Sequence, residues 1–419
     1  MSSSNAVSAH VAIIGAGPAG ALTAYLLARM GIRVTLIERH SDFSREFRGE
    51  GMTPGGMEAI RQAGLWQAFD ALPSEPIRTM QMFARGKRFL NLDMDRILPA
   101  DAQLIRLMPQ PLLLEMLAER CGAFADFTLL RGTVVRDLLV TDGRVTGLRL
   151  GGEGGDFDLT ADYVIAADGR YSVARKRLGL ELQGQTQEFD VVWCRAPRVE
   201  PVRRGEAYSF LLDDYFGLAF PAEDNHVQIG RIIAKGSYRQ FRGQEGEDWK
   251  DHLASVLPPP LAAMFAKVRD KVSDPFPLDV ICGMLPKWSV PGLVLVGDAA
   301  HPMSPVGAQG INIALRDAIV LANHLGPALL SGAPPGDLGG AAQAFEAERR
   351  PEVSKIQAQQ NDATHRLGRM QTMAPFLRLI PSGLLGTIGR FLLSRSSIKR
   401  FIEGASRLEL TFKPRDGHS

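Results

Sequence analysis

The stretch that decides the fold is residues 11–39, which read VAIIGAGPAGALTAYLLARMGIRVTLIER. Residues 11–14 are a short apolar run, which is typical of a buried parallel strand. Residues 19–30 have helical apolar spacing, and Gly31 stands where a glycine ends a helix. Residues 33–37 predict a second strand. Strand, helix and strand within about thirty residues predict a βαβ unit.

The turn between the first strand and the helix carries the pattern GxGxxG at Gly15, Gly17 and Gly20. In this context Gly15 permits a tight turn, Gly17 lets a pyrophosphate approach the backbone, and Gly20 allows close packing of helix on strand. Bound phosphates meet backbone N–H groups at the positive end of the helix. Glu38 ends the second strand, where a carboxylate accepts hydrogen bonds from ribose hydroxyls. The motif predicts a site for FAD or NAD rather than NADP; the alternative is a glycine-rich turn without a ligand.

A second candidate site begins at Asp298, which follows the apolar run 293–296. An acid at the end of a buried strand lies in the crevice where α/β sheets bind ligands, so we expect Asp298 to hold a ribityl hydroxyl. The glycines of the loop 305–310 permit a flat ring to come close, and the helix that begins at Gly310 directs its positive N-terminus towards that ring. The alternative is a structural aspartate that caps the helix.

These motifs resemble those of the p-hydroxybenzoate hydroxylase family, the single-component FAD-dependent aromatic monooxygenases. The stretch GDAAHP at 297–302, with the loop that follows it, is similar to the second FAD motif of that family. Asp168-Gly169 is similar to the third motif, which serves FAD and NAD(P)H binding together. Arg48 and Gln110 resemble family residues near the flavin and its ribityl chain. The resemblance covers residues 10–350.

The resemblance implies FAD contacts from several parts of the chain, and no metal site. The predicted FAD contacts are Gly15, Ala16, Gly17, Pro18, Ala19, Gly20, Glu38, Arg39, Arg48, Gln110, Val135, Asp168, Gly169, Asp298, Pro305, Gly307, Gly310, Ile311 and Asn312.

The family implies an enzyme that takes a hydride from NADH or NADPH and uses O₂ to hydroxylate an aromatic or quinone-like small molecule through a flavin C4a-hydroperoxide. A flavin-dependent halogenase or reductase on the same fold is the alternative, and a non-enzymatic flavoprotein is a third. Halogenases carry a WxWxIP stretch, and the corresponding residues 215–221 lack both tryptophans. No second GxGxxG follows a predicted strand, so we expect no separate NAD(P)H domain.

The catalytic side chains are open at this point, with His301, Tyr208 and Tyr215 as candidates. Each has a structural alternative, because aromatic residues on alternating strands are more often part of a core. Further candidates for the substrate site are the apolar residues Trp193, Phe210, Phe220 and Met284. Arg45, Arg48 and Arg106 are predicted to form a basic set near the flavin edge.

Composition is that of a globular enzyme of 419 residues with a formal net charge of +2, so bulk nucleic-acid binding is not expected. Cys121, Cys194 and Cys282 lack CxxC spacing and are predicted to be buried, reduced thiols. Neither a signal peptide nor an apolar run of about 18 residues is recognised. We therefore expect a cytoplasmic monomer or homodimer whose partner is a small aromatic substrate.

The order of the patterns predicts an α/β fold with a discontinuous Rossmann-type FAD-binding domain, at 1–75, 105–180 and 286–365. An inserted β-rich substrate domain is predicted at 76–104 and 181–285. Within this order, 54–69 is predicted as a helix, 133–150 as a hairpin with its turn at Asp142-Gly143, 332–340 as a loop, and two or three helices are expected to end the chain. A C-terminal helical segment is predicted at 366–419; its residues 376–408 are apolar and basic. We expect these to pack on the FAD-binding domain, with a membrane or subunit contact as the alternative.

Overall fold

The structure is a computed structural model that describes residues 10–44, 51–84, 86–97, 103–184, 187–212, 215–242, 248–332, 335–377 and 408–412.

Strands are numbered in chain order. They are β1 (His10–Ile14), β2 (Arg33–Ile37), β3 (Gly51–Met52), β4 (Glu75–Pro76), β5 (Thr79–Ala84), β6 (Lys87–Asp93), β7 (Arg106–Leu107), β8 (Phe127–Leu130), β9 (Val134–Thr141), β10 (Arg144–Gly152), β11 (Gly155–Thr160), β12 (Tyr163–Ala166), β13 (Phe189–Pro197), β14 (Glu206–Leu212), β15 (Tyr215–Ala222), β16 (His226–Ala234), β17 (Phe276–Leu278), β18 (Ser289–Val290) and β19 (Leu293–Leu295).

Helices are numbered in the same way. They are α1 (Pro18–Arg29), α2 (Pro54–Gln62), α3 (Trp66–Asp70), α4 (Met94–Ile97), α5 (Gln110–Cys121), α6 (Val173–Arg177), α7 (Tyr238–Phe241), α8 (Trp249–Val256), α9 (Pro259–Val268), α10 (Gln309–Leu330) and α11 (Pro335–Leu377).

The first large sheet confirms the predicted βαβ unit and extends it. Its strand order is β18-β19-β12-β1-β2-β8, with every neighbouring pair parallel except β18 and β19. Strands β1, β12 and β19 are almost wholly buried, as parallel strands covered on both faces must be. Helix α1 packs against α5 and α10, and the sheet and these helices share one large apolar core.

The second large sheet joins two distant pieces of chain. Its order is β17-β13-β16-β15-β14-β5-β6, antiparallel throughout except for the parallel pair β14 and β5. The predicted strand-rich pieces before residue 104 and after residue 181 thus meet in one sheet, although the proposed domain boundaries themselves stay a prediction. A three-stranded sheet, β11-β10-β9, contains the predicted hairpin, and its turn residues Asp142 and Gly143 both have positive φ.

Two helix predictions are wrong. The pattern at 54–69 predicted one helix, but Gly64 has φ +76° and separates α2 from α3, because a left-handed residue cannot continue a helix. The stretch 332–340 was predicted as a loop, yet α11 begins at Pro335, where a proline suits a first helical turn. The two or three final helices are, within the described residues, the single long helix α11 up to Leu377.

Helices α8 and α9 were not predicted, because they lie within residues 181–285, which the sequence pattern assigned to a β-rich domain. Asp248 begins α8 by accepting a hydrogen bond from the Lys250 N–H, and α9 starts at consecutive prolines. Apolar residues of both helices, including Leu253 and Phe265, form a core with one face of the second sheet. The opposite face of that sheet is therefore the one left to face the first sheet.

The C-terminal residues 408–412 are held by two amide side chains. Gln62 donates to the Leu408 carbonyl (2.8 Å) and accepts from the Leu410 N–H (2.7 Å). Asn323 makes the same pair of bonds with the Glu409 carbonyl and the Thr411 N–H. The segment thus lies across α2 and α10, while most of the predicted apolar and basic stretch 376–408 lies outside the described residues.

One stretch, Val306–Leu330, is long and apolar enough to cross a membrane by length and composition, with mean hydropathy 1.3. Most of it is α10, which packs between α1, α2 and α11, and 72% of the apolar window is buried inside the protein. The apolar character of this stretch is explained by its position in the core.

The three cysteines are free thiols. Cys121 and Cys194 are buried as predicted, whereas Cys282 is only half-buried. Burial raises the pKa of each thiol to about 12, so the thiols stay protonated near neutral pH.

A buried ionic network joins α10 to α11. Asp317 accepts from Arg349 Nε at 2.7 Å, and its other oxygen lies 2.8 Å from His301 Nε2. Glu352 pairs with both Arg349 and Arg316. Burial raises the pKa of Asp317, but His301 and Arg349 outweigh this and hold it below the usual value.

We expect Arg349→Met to lower the free energy of unfolding by about 3–5 kcal/mol, because Asp317 and Glu352 both lose the buried cation that they share. Urea denaturation measures the loss. The control is Arg149→Met, which breaks a pair with Asp158 whose side chains are 54% and 46% exposed; it is expected to leave the free energy of unfolding nearly unchanged, because water and salt screen an exposed pair. Equal effects of the two substitutions would contradict the role given to the network.

Candidate active site

One large cavity, of about 580 Å³, lies between the two large sheets. The C-terminal ends of β1, β2, β12 and β19 open into it, which is where α/β sheets place their ligand sites. The second sheet closes the other side with the face that α8 and α9 leave free. We call the side formed by the first sheet the glycine end, around Gly15 and Asp298. The side formed by the second sheet is the sheet end, around Trp193 and Gln228.

Most of the residues predicted for FAD line this cavity. They are Gly15, Gly17, Pro18, Ala19, Glu38, Arg39, Gln110, Val135, Asp168, Gly169, Asp298, Pro305, Gly307, Gly310 and Ile311. Ala16, Gly20 and Asn312 are buried beside the cavity without lining it, and Arg48 lies outside the described residues.

The three motif glycines have the different roles that their positions predict. Gly15 has φ +92°, and a Cβ there would lie 2.6 Å from the Ala167 carbonyl oxygen. A Cβ on Gly20 would lie 2.0 Å from the Gly15 carbonyl oxygen, so the helix touches the turn at this point. A Cβ on Gly17 would meet no atom within 4 Å, because this glycine faces the cavity. Gly17 therefore leaves space for a ligand, whereas Gly15 and Gly20 are required by packing.

Glu38 is fixed by the turn that it faces. One carboxylate oxygen accepts from the Ala16 N–H (3.0 Å) and the other from the His40 N–H (3.1 Å). The side chain is buried, yet it lines the cavity beside the end of β2. A carboxylate held in this way is preorganised to accept hydrogen bonds from ribose hydroxyls.

Two further carboxylates lie at the glycine end. Burial raises the pKa of Asp168, while hydrogen bonds from Ser172 and the Ala174 N–H partly offset that rise. Among the described residues, Asp168 Oδ1 has no hydrogen-bond partner. Asp298 is about one third exposed, and Arg170 Nε lies 4.0 Å from its carboxylate. Both carboxylates are thus available to a polar ligand in the cavity.

The loop 304–308 between Asp298 and α10 is held from both sides. Asn312 donates to the carbonyls of Gly51 (2.9 Å) and Ala308 (2.7 Å) and accepts from the Thr53 N–H (2.9 Å). Gln360 of α11 donates to the carbonyls at positions 304 and 306. The loop contains Gly307 and Ala308, both with positive φ, and its shape therefore depends on these amides. Asn312 thus supports the cavity wall, and its predicted contact with FAD stays a prediction.

The sheet end of the cavity is apolar. It is lined from the second sheet by Met80, Phe189, Val191, Trp193, Phe216, Leu218, Phe220, Pro221, Gln228, Ile232 and Leu278. Within this described set none carries a charge, and Gln228 is the polar member. The flat ring of Trp193 lies over Gly230, where a Cβ would come within 2.4 Å of it.

The structure removes two of the three catalytic candidates from the cavity. Tyr208 is fully buried on the other face of the sheet, where its hydroxyl donates to Glu206. His301 is buried against Trp288 and Asp317 and does not line the cavity. Tyr215 belongs to β15, but its side chain lies outside the description. Alternation along a strand divides its side chains into two sets, and the pairing register shows which set faces the cavity. The sequence alone does not give that register.

The other substrate candidates divide in the same way. Trp193 and Phe220 line the cavity, whereas Phe210 packs in the core under α8 and α9. Met284 contacts Arg350 instead of the cavity. The sequence analysis did not name Gln228 or Arg170 as site residues, yet both line the cavity. Arg170 directly follows the third motif, Asp168-Gly169, and this position could have indicated it.

Of the predicted basic set, Arg106 lies within the described residues, and the set as a whole stays a prediction. Arg106 pairs with Asp70 at 2.6 Å and lies over the Trp66 ring, away from the cavity lining. Arg45 and Arg48 lie outside the described residues. Among the described residues that line the cavity, the basic ones are Arg39 and Arg170.

Comparison with curated proteins gives the chain clear relatives. It is 34% identical over 367 residues to 6-methylpretetramide 4-monooxygenase of Streptomyces rimosus, covering 86% of this chain and 85% of that protein. It is also 27% identical over 374 residues to aklavinone 12-hydroxylase of Streptomyces purpurascens, covering 83% and 67%.

Solved structures share the fold. p-Nitrophenol 4-monooxygenase from Pseudomonas putida superimposes with a TM-score of 0.77 at 20% identity, covering 96% of this chain and 99% of that one. Aklavinone-11 hydroxylase, solved with FAD and aklavinone, gives a TM-score of 0.69 at 23% identity, covering 84% and 67%.

The family described as FAD binding domain matches residues 8–359, which includes all three motifs and both large sheets. The family assignment and the motif geometry agree on the cofactor, with NAD(P)H and O₂ as the co-substrates of such enzymes. The chain belongs to this FAD-binding family and is a flavin-dependent monooxygenase of the p-hydroxybenzoate hydroxylase type.

Proposed function

We propose that this monooxygenase hydroxylates an uncharged, polycyclic aromatic compound that lies against the sheet end of the cavity. The observation that carries the proposal is the uncharged, largely aromatic and aliphatic wall contributed by the second sheet, with Trp193 and Phe220 among its residues. A wall of this kind binds fused rings by burial of apolar surface and by contact between aromatic rings. A substrate with a fixed charge would lose its hydration there without a partner.

The relatives support the same substrate class. Two of them are named for hydroxylation or monooxygenation of 6-methylpretetramide and of aklavinone. Two halogenases also share this fold. Their sequence identity to this chain is 20% or less, so the similarity supports a common fold and not a common reaction.

The residues of the glycine end fit FAD, and we propose their individual roles. Gly17 leaves room for a pyrophosphate beside the N–H groups that begin α1. In this proposal Glu38 binds the adenosine ribose, and Asp298 and Gln110 bind the ribityl chain; all three line the cavity. The first turn of α10, with Gly310 at the wall, offers N–H groups to the polar edge of a flat ring.

When bound, FAD supplies the transfer of electrons from NAD(P)H to O₂. The chain's own contribution is to orient the substrate and to exclude water, which a buried apolar wall does by leaving water few hydrogen-bond partners. The loop 304–308 is held by Asn312 and Gln360, and its Val306 packs against the apolar cluster that contains Trp193 at the sheet end. The cytoplasmic location and the monomer or homodimer remain part of the proposal.

The direct test is turnover of the FAD-loaded protein under ¹⁸O₂ with NADH or NADPH and a panel of polycyclic phenols and single-ring acids. We expect a polycyclic phenol to gain one ¹⁸O atom and to accelerate NAD(P)H oxidation. Incorporation into single-ring acids alone would contradict the substrate class. A halogenated product that requires chloride or bromide would contradict oxygenation.

Substitution of two of the three motif glycines separates cofactor binding from folding. Gly17→Ala is expected to keep the stability of the cofactor-free protein, since the Cβ meets open space, but to weaken FAD binding at least tenfold, or about 1.4 kcal/mol. Gly20→Ala is expected to lower the free energy of unfolding by about 1–3 kcal/mol, because its Cβ overlaps the Gly15 carbonyl. Flavin fluorescence and urea denaturation measure the two effects, and a reversed pattern would refute the assignment.

A second pair of substitutions tests the loop support. Asn312→Ala removes one hydrogen bond to the loop 304–308 and two to residues 51 and 53, and is expected to weaken FAD binding at least tenfold, because the loop that lines the cavity loses its support. Asn323→Ala, on the same helix, removes two hydrogen bonds to the segment 408–412 instead and is expected to leave FAD affinity unchanged. If both variants bind FAD equally well, the loop does not depend on Asn312.

A further inference from the structure

Gln228 is an unusual residue in the apolar wall of the cavity. It lies on β16, is 1% exposed, and lines the cavity between strands that contribute Phe220 and Trp193. Neither its amide oxygen nor its amide nitrogen has a hydrogen-bond partner among the described residues. A buried amide without partners destabilises a folded protein, so its presence here calls for a partner that comes from the cavity.

The register of the sheet places the amide at the cavity and not in the core behind it. Gln228 is paired with Phe220 on the neighbouring strand, and residues paired directly across a sheet share a face. The adjacent residues Val227 and Ile229 point the other way, into the core beneath α8 and α9. A molecule bound against Phe220 therefore lies next to the amide.

The geometry points to Gln228 as the residue that selects substrates by hydrogen bonding, and this inference rests on the proposed function. The amide carries an acceptor and a donor side by side, so it matches an aromatic ring with two neighbouring oxygen substituents, of which one donates and the other accepts. The surrounding wall then supplies affinity for the fused rings, and Gln228 fixes which edge of the rings faces it. A site built in this way rejects an analogue that leaves the amide unpaired.

The inference is tested with the FAD-loaded full chain and two naphthalenes, 2,3-dihydroxynaphthalene and 2,3-dimethoxynaphthalene. The second keeps the rings and oxygens but cannot donate a hydrogen bond. We expect the wild-type protein to bind the diol at least about tenfold more tightly, and Gln228→Leu to reduce that ratio to near one, measured by titration of ligand fluorescence.

Gln81→Leu is the matched control. Gln81 is a buried glutamine of the same sheet, but it accepts a hydrogen bond from Arg88 and does not line the cavity. This variant is expected to keep the wild-type ratio and to melt at a lower temperature, because Arg88 loses its partner. Gln228→Leu is expected to melt at the same temperature as wild type or higher, since it removes an unpaired buried amide.

The outcomes separate this inference from the proposed function. If both naphthalenes bind the wild-type protein equally, or if Gln228→Leu keeps the preference for the diol, the inference is wrong while the substrate class stands. If neither naphthalene binds the wild-type protein, the substrate class and the ligand assigned to Gln228 both fail. A lower melting temperature of Gln228→Leu would show that the amide has a structural partner, and would overturn the inference by itself.

Discussion

The rest of the structure depends on the contact between the start of α1 and the turn that follows β1. A Cβ on Gly20 would lie 2.0 Å from the Gly15 carbonyl oxygen, and one on Gly15 would lie 2.6 Å from the Ala167 carbonyl oxygen. Three backbones therefore meet at distances that only glycine permits. This contact brings the end of β12, with Asp168, beside the end of β1 and gives the cavity its polar end.

A second constraint holds the opposite side of the glycine end. Asp317 of α10 accepts from the Gly297 N–H, one residue before Asp298, and the same carboxylate faces His301 and Arg349. The buried ionic network thus joins α11, α10 and the strand end that carries Asp298. Buried ion pairs add little stability compared with apolar packing, but they fix geometry closely. His301, which the sequence offered as a catalytic candidate, is thus part of this network beside Asp317.

The sequence predicted those features of the structure that depend on residues close together in the chain. The βαβ unit was predicted within a residue or two, because strand, glycine turn and helix are local patterns with unambiguous periods. Positions such as Asp168 and Asp298 follow strand ends and were also within reach. The substrate wall was not, since the choice between Phe210 and Phe220 depends on which face of the sheet is covered by α8 and α9, two helices that lie further along the chain. Gln228 gave no local signal, because an unpaired amide is recognised only from its surroundings.

The central claim is that a single cavity holds FAD at its glycine end and a fused-ring substrate at its sheet end. The most direct measurement is a crystal structure of the FAD-loaded protein with 2,3-dihydroxynaphthalene. The account predicts the pyrophosphate beside Gly17, the ribityl chain at Asp298, and the naphthalene against Trp193 and Phe220. It would be contradicted by FAD bound elsewhere, or by a naphthalene that lies outside the space between the two large sheets.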